Sequence, residues 1–143
     1  MNLLFGHDAA VAGWVSKQQY GKPFHDPYTA FGIVDSNGRL RGGFVFTGYT
    51  GDSIELSLAT DGWSWRLREW RGAWGAILHY VFVQMGCSRL QAHTAASNKR
   101  ARKQLPRLMK FEGKCRRMYG KEDGFQYSLT VDDLPAFCQK WKI

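Results

Sequence analysis

Between Ser53 and Leu58 the apolar residues Ile54, Leu56 and Leu58 alternate with Ser53, Glu55 and Ser57, the period-two rhythm of a strand with one face on a core. Residues 29–34 and 41–47 are similarly strand-like, and Asp35-Ser36-Asn37-Gly38 between them offers an Asn-Gly pair suited to a tight turn. A three-stranded antiparallel meander is predicted. Further on the rhythm changes to helical spacing: Trp70, Trp74, Ile77, Val81 and Met85 recur across residues 67–85, and Gly86 fits a helix stop. That predicts one long, mostly buried helix.

The flanks complete the pattern. Leu3 to Phe5 is a short apolar start, and Ala9, Ala10, Val11, Trp14 and Val15 form a first helix. Lys17 to Pro27 is a polar loop with Gly and Pro, carrying Tyr20, His25 and, just beyond it, Tyr28. Beyond Gly86, residues 88–94 read as a strand, 98–105 as a helix, 112–118 and 125–130 as two strands, and 132–140 as a terminal helix. A strand, a buried helix and a further strand make a right-handed crossover. The expected fold class is α/β in the α+β sense, a mixed and mostly antiparallel sheet with a central β-α-β crossover, forming a single domain over residues 1–143.

Composition narrows the class. With 143 residues, 44% apolar and 15% aromatic, a chain of this size buries roughly two thirds of its unfolded surface in one core. No apolar run reaches the ~20 residues a membrane span needs, and no signal peptide is evident, so a cytoplasmic location without membrane attachment is expected. Cys87, Cys115 and Cys138 have neither disulfide-framework nor zinc-site spacing, and reduced thiols with no metal are expected.

The net charge of +8 is concentrated. Lys99, Arg100, Arg102, Lys103, Arg107, Lys110, Lys114, Arg116, Arg117 and Lys121 stand against one acid, Glu112. Such a field attracts phosphates, on a nucleotide cofactor or a nucleic acid. It is equally the make-up of a solvated helix face followed by an exposed strand edge.

The order of elements, with Tyr80-Val-Phe-Val-Gln-Met-Gly86, Arg89-Leu-Gln-Ala92, Asn98 with Ala101, Phe111-Glu-Gly113 and Arg116, resembles the GNAT acyltransferase family. The nearest subgroup is that of the ribosomal-protein N-terminal-alanine acetyltransferases. The detailed resemblance runs from Ile54 to Leu129; before that only the strand order matches. It implies an acyl-CoA-dependent N-acyltransferase, in the first instance an N-acetyltransferase, using acetyl-CoA as cosubstrate and an amine as acceptor. Two other functions stay open: a GNAT-fold protein that modifies or binds nucleic acid, as phage Mom-type proteins are thought to do, and a binding module without chemistry.

The resemblance implies specific roles. Backbone N–H groups around Ser57, Leu58 and Ala59 would hold the thioester carbonyl, and Asn98 would bond the pantetheine amides, although Ser97 and Asn98 are also natural helix caps. Read from the residues themselves, Glu55 among apolar neighbours is a candidate general base or a polar residue on the wetter face of its strand, and His93 a candidate proton shuttle or a satisfied structural residue. The family's proton-donating Tyr on the helix after Asn98 is missing, which leaves Tyr127, Tyr119 or Ser97 as candidates. The family's glycine loop at the start of the central helix, which binds pyrophosphate through backbone N–H groups, aligns with Arg66 and Arg68. Either an arginine clamp of Arg66, Arg68 and Arg71 replaces the glycines, or the CoA site is altered or lost; Arg71, one turn into the helix, could instead point to solvent. Pro106 should end the Asn98 helix near Leu105, and Lys110, where the family has Gly, should remodel the loop before Phe111. Trp63 and Trp65 are candidates for stacking on a flat ligand; Trp70 and Trp74 are expected in the core.

Overall fold

Glycine decides how the first helix meets the sheet. A computed structural model describes residues 2–19, 21–61 and 67–143, apart from the side chains of 67–70. In it Gly32 on β2 (Thr29–Val34) pairs with Gly43 on β3 (Leu40–Thr47). A Cβ on Gly43 would lie 2.5 Å from Val15 Cγ2 and 3.1 Å from Val11 Cγ1, both on α1 (Asp8–Gln18). Only bare backbone lets α1 come so close. Val11, Ala12 and Val15 pack there against Ala30, Val45 and Ala59 in a small core on that face.

The described strands form one seven-stranded sheet, ordered β1-β2-β3-β4-β5-β7-β6. β1 is Asn2–Leu4, β4 Ser53–Thr60, β5 Arg89–Ala95, β6 Lys110–Tyr119 and β7 Glu122–Thr130. Every neighbouring pair is antiparallel except β4 and β5. These two are joined by the crossover through α2 (Leu67–Leu78), as the helical pattern predicts. The larger core lies on the opposite face from α1. Phe31, Phe44, Phe46, Ile54, Leu56 and Leu90 meet Trp74, Ile77 and Val81 there. Trp74 is 1% exposed and meets Phe137 of α4 (Leu134–Trp141) edge-on at 5.5 Å.

The long helix predicted to Met85 changes form on the way. From His79 to Gln84 it widens into a π-helical stretch, in which the Met85 N–H bonds the Tyr80 carbonyl five residues back at 2.8 Å. The helix after Asn98, α3, covers Lys99–Gln104, and Pro106 lies in the 3₁₀ turn Leu105–Arg107 that follows. A proline is tolerated in a first turn because it has no N–H to leave unpaired. β6 begins at Lys110, earlier than the sequence pattern suggests, and its register with β7 shifts between Phe111 and Gly113. Lys110 Nζ is 2.7 Å from Asp133 Oδ1 just before α4. Among the described residues no helix is long and apolar enough to cross a membrane.

Candidate active site

β4 and β5 pair only through Ser53, Ile54 and Glu55, opposite Arg89, Leu90 and Gln91. Beyond that point each strand stays with its outer neighbour, β4 with β3 to Thr60 and β5 with β7 to Ala95. The two inner edges therefore diverge. A cleft of about 1010 Å³ opens between them, lined by Glu55 to Thr60, Ala92 to Ala95, the end of α1 and one side of α3. Leu58 shows the effect locally: it continues the apolar series of Ile54 and Leu56, yet it is only half-buried. Its carbonyl accepts from Gln19 Nε2 at 2.9 Å, so this stretch of edge is bonded to a side chain, where a continuous sheet would supply a strand.

Glu55 lies where the pairing ends. By strand alternation it faces the α1 side with Ser57 and Ala59, as Gln91 and His93 do on β5. Glu55 Oε1 is 3.0 Å from His93 Nε2, and both side chains are about a quarter exposed, 25% and 27%. On its other side His93 Nδ1 is hydrogen-bonded to the hydroxyl of Tyr119, which closes the β6–β7 hairpin opposite Glu122. All three residues line the cleft. An ionised Glu55 accepts a bond from Nε2–H and leaves Nδ1 as the acceptor for the Tyr119 hydroxyl; the other tautomer would turn a lone pair toward the carboxylate.

Asn98 also lines the cleft and caps α3, its Oδ1 accepting from the Ala101 N–H at 3.1 Å. Ser97 Oγ donates to Glu122 at 2.8 Å, tying the α3 entrance to the hairpin that carries Tyr119. Ser57, Leu58 and Ala59 all line the cleft.

Tyr127 is placed elsewhere. It is 3% exposed in the large core, pairs with Ala92 on the face away from Glu55, and does not line the cleft. Burial raises its pKa, with Arg102 acting weakly in the opposite direction. The structure thus brings Tyr119 to His93 and leaves Tyr127 behind the sheet.

Arg71 is tied to the protein itself, Nε donating to the Trp141 carbonyl of α4 at 3.0 Å, so its side chain is not simply free in solvent. Arg66, Trp63, Trp65 and Tyr20 lie outside the described residues; Arg68 stands in the first turn of α2 with its side chain outside them. Sequence reasoning missed the joining of His93 to Tyr119 and the bond from Gln19 to Leu58. The polar alternation of Arg89, Gln91 and His93 on β5 was the available signal for the first. Among the described residues no group of three His, Cys, Asp or Glu is arranged to hold a metal ion.

No family model and no curated protein matches the sequence. Solved structures do match the fold. The spermidine/spermine N-acetyltransferase SpeG of Vibrio cholerae superposes with a TM-score of 0.70 at 14% identity, over 94% of this chain and 95% of that one. A GCN5-related N-acetyltransferase of Brucella melitensis gives 0.72 at 18% identity, over 99% of this chain and 84% of its own. The chain has the GCN5-related N-acetyltransferase fold. In this GNAT fold the parting of β4 from β5 is the feature that creates the cleft, and the order of elements from β1 to α4 agrees with the sequence resemblance. These similarities do not single out the ribosomal-protein subgroup.

Proposed function

We propose that the protein is an N-acyltransferase that moves an acetyl group from acetyl-CoA to an amine. The observation that carries this reading is the Glu55 and His93 pair seated where β4 and β5 separate. The match to N-acetyltransferase structures supports it as a likeness of fold.

The cleft fits such a donor. Two diverging strand edges present backbone N–H and C=O groups of the kind that pantetheine amides bond, and Asn98 retains amide donors after its oxygen caps α3. Acetyl-CoA supplies an activated thioester. The Leu58 N–H, on the same strand edge as the carbonyl bonded by Gln19, is assigned to the thioester oxygen, where a fixed donor stabilises developing negative charge. Arg68, opening α2, is assigned to the pyrophosphate.

The proton route follows from the tautomer. Glu55 holds His93 with Nε2 protonated, so Nδ1 is the basic nitrogen. Tyr119 passes its proton to Nδ1 as it takes one from the acceptor ammonium, and Glu55 stabilises the resulting imidazolium, the division of labour of a nucleophile-histidine-carboxylate triad applied to an amine. The neutral amine forms the C–N bond, the C–S bond breaks, and the thiolate takes a proton from the same chain or from water. Ammonium and thioester become amide, thiol and one proton.

The test is release of free thiol from acetyl-CoA across a panel of amines, with mass detection of the acetylated product. Thiol release above the enzyme-free blank, with product, supports the reading. No product from any amine, together with no thermal shift by acetyl-CoA, overturns it.

A further inference from the structure

Helix α3 is a wall between two cavities. Asn98, Arg100, Ala101 and Gln104 face the large cleft. Lys99, Arg102 and Lys103, three and four residues apart on the opposite face, border a separate open pocket of about 370 Å³. Its remaining lining is aromatic: Phe111, Phe125 and Tyr127. Phe111 meets Tyr127 edge-on at 5.6 Å and Phe125 at 5.8 Å, and the Arg102 guanidinium lies over the Phe125 ring at 4.4 Å.

Two features of this pocket stand out. Phe111 packs on Phe125 and Tyr127 on one side only and leaves 57% of its surface exposed beside a cationic rim. Lys99, Arg102 and Lys103 meet no carboxylate among the described residues, Arg102 donating instead to the Ala96 carbonyl at 3.0 Å, and the nearby acids are already engaged. Glu112 is bound by Arg89, Asp123 by Lys114 and the Arg117 N–H, and Asp133 by Lys110. The field around the pocket is therefore positive.

We infer that this pocket binds single-stranded nucleic acid, one unpaired base stacking on Phe111 while Lys99, Lys103 and Arg102 hold the flanking phosphates. A ring floor with a cationic rim suits a planar base between two phosphates. The acids of a peptide would meet the cations but have nothing to place on the ring. A duplex keeps its base faces stacked inside. The three cations along α3, with Lys114 paired opposite Phe125 and so on the same face of the sheet, can meet more than one phosphate, which favours a strand over a mononucleotide. This inference does not depend on acyl transfer, and a binding measurement tests it separately.

The experiment is fluorescence anisotropy of the full chain with a labelled oligodeoxythymidylate, titrated at several salt concentrations. Unlabelled duplex, CoA and polyglutamate serve as competitors. Binding that weakens with salt is expected, with Phe111→Ala reducing affinity about 5- to 150-fold, the range for losing one stacked base. Phe111→Trp should retain wild-type affinity, and Lys103→Glu should lower the salt slope by about 0.7 or more, because one phosphate is no longer neutralised. Circular dichroism checks that each variant is folded, and acetyl-CoA affinity should be unchanged in all three. Absent binding at low salt, an unaltered affinity in Phe111→Ala, or equal competition by duplex or polyglutamate would each overturn the proposal. Displacement of the oligonucleotide by CoA would also overturn it, assigning the pocket to the cofactor.

Discussion

Glu55 and His93 meet at 3.0 Å across two strands whose pairing has just ended, Glu55 being the last paired residue of β4 and His93 lying two residues beyond its partner Gln91. Had pairing continued, the neighbouring backbone would be sealed by sheet hydrogen bonds. Because it stops, a carboxylate, an imidazole and a hydroxyl are set at the mouth of a gap between strands that no longer pair. In the proposed reaction this places a general base beside the groove that would take the acyl donor.

Glu55→Gln and His93→Gln should each lower kcat by about 100-fold or more, the scale of general-base catalysis, with little change in acetyl-CoA affinity. Since the two act as one unit, the double variant should lose little beyond the worse single one. Steady-state kinetics on the three variants checks this. A rate near wild type in Glu55→Gln would assign the pair to structure alone.

The two tyrosines should separate cleanly. Tyr119→Phe removes the hydroxyl bonded to His93 and should reduce kcat by about 10-fold or more. Tyr127→Phe, buried behind the sheet, should leave kcat within about twofold because removing its hydroxyl touches no group in the proposed route. Parallel turnover assays decide between them, and a larger loss in Tyr127→Phe would reverse the assignment.

For the arginines, calorimetry with CoA and with a phosphate-free pantetheine is the discriminating measurement. Arg68→Ala or Arg66→Ala should weaken CoA by about 10- to 100-fold, as loss of a charge-assisted bond to phosphate implies, and leave pantetheine unchanged. Arg71→Ala should instead destabilise the fold by about 0.5 to 1.5 kcal/mol because its bond to Trp141 is removed, with CoA affinity retained. Equal small effects on both ligands in Arg66 and Arg68 variants would show that no clamp exists.

The Arg89 guanidinium, hydrogen-bonded to Glu112, holds that carboxyl below the ordinary glutamate value of 4.5, with a bond from Ser128 assisting and partial burial opposing. A carboxyl lowered on folding stabilises the protein above its unfolded pKa, and that contribution disappears as pH falls through the folded value. Glu112→Gln should therefore cost about 0.2 to 1 kcal/mol at neutral pH, the modest scale of a solvent-screened pair. The difference from wild type should vanish in urea melts run well below pH 4.5. A constant difference at every pH would trace the effect to packing.

Much of this fold is written in local pattern. The alternation at Ile54, Leu56 and Leu58, the Asn37-Gly38 turn and the helical spacing through Trp74, Ile77 and Val81 follow from side-chain periodicity, which needs only near neighbours, and so the elements and their order could be read directly. Glu55 and Asn98 were legible as candidates because a polar residue within an apolar strand, or a capping residue before a helix, stands out in one dimension. Tyr127 also stood out, but nothing local says that its face of β7 is the buried one. Tyr119 was a candidate on the same footing, but nothing local names its partner, since it reaches His93 only after the β6–β7 hairpin inserts β7 beside β5. The sequence alone determined which segments are strands and helices, because burial periodicity and turn chemistry are properties of contiguous residues. The tertiary structure decided where β4 leaves β5, which tyrosine completes the Glu55 and His93 pair, and that α3 has a different pocket on each face, because these depend on strand register and packing between residues far apart in the chain.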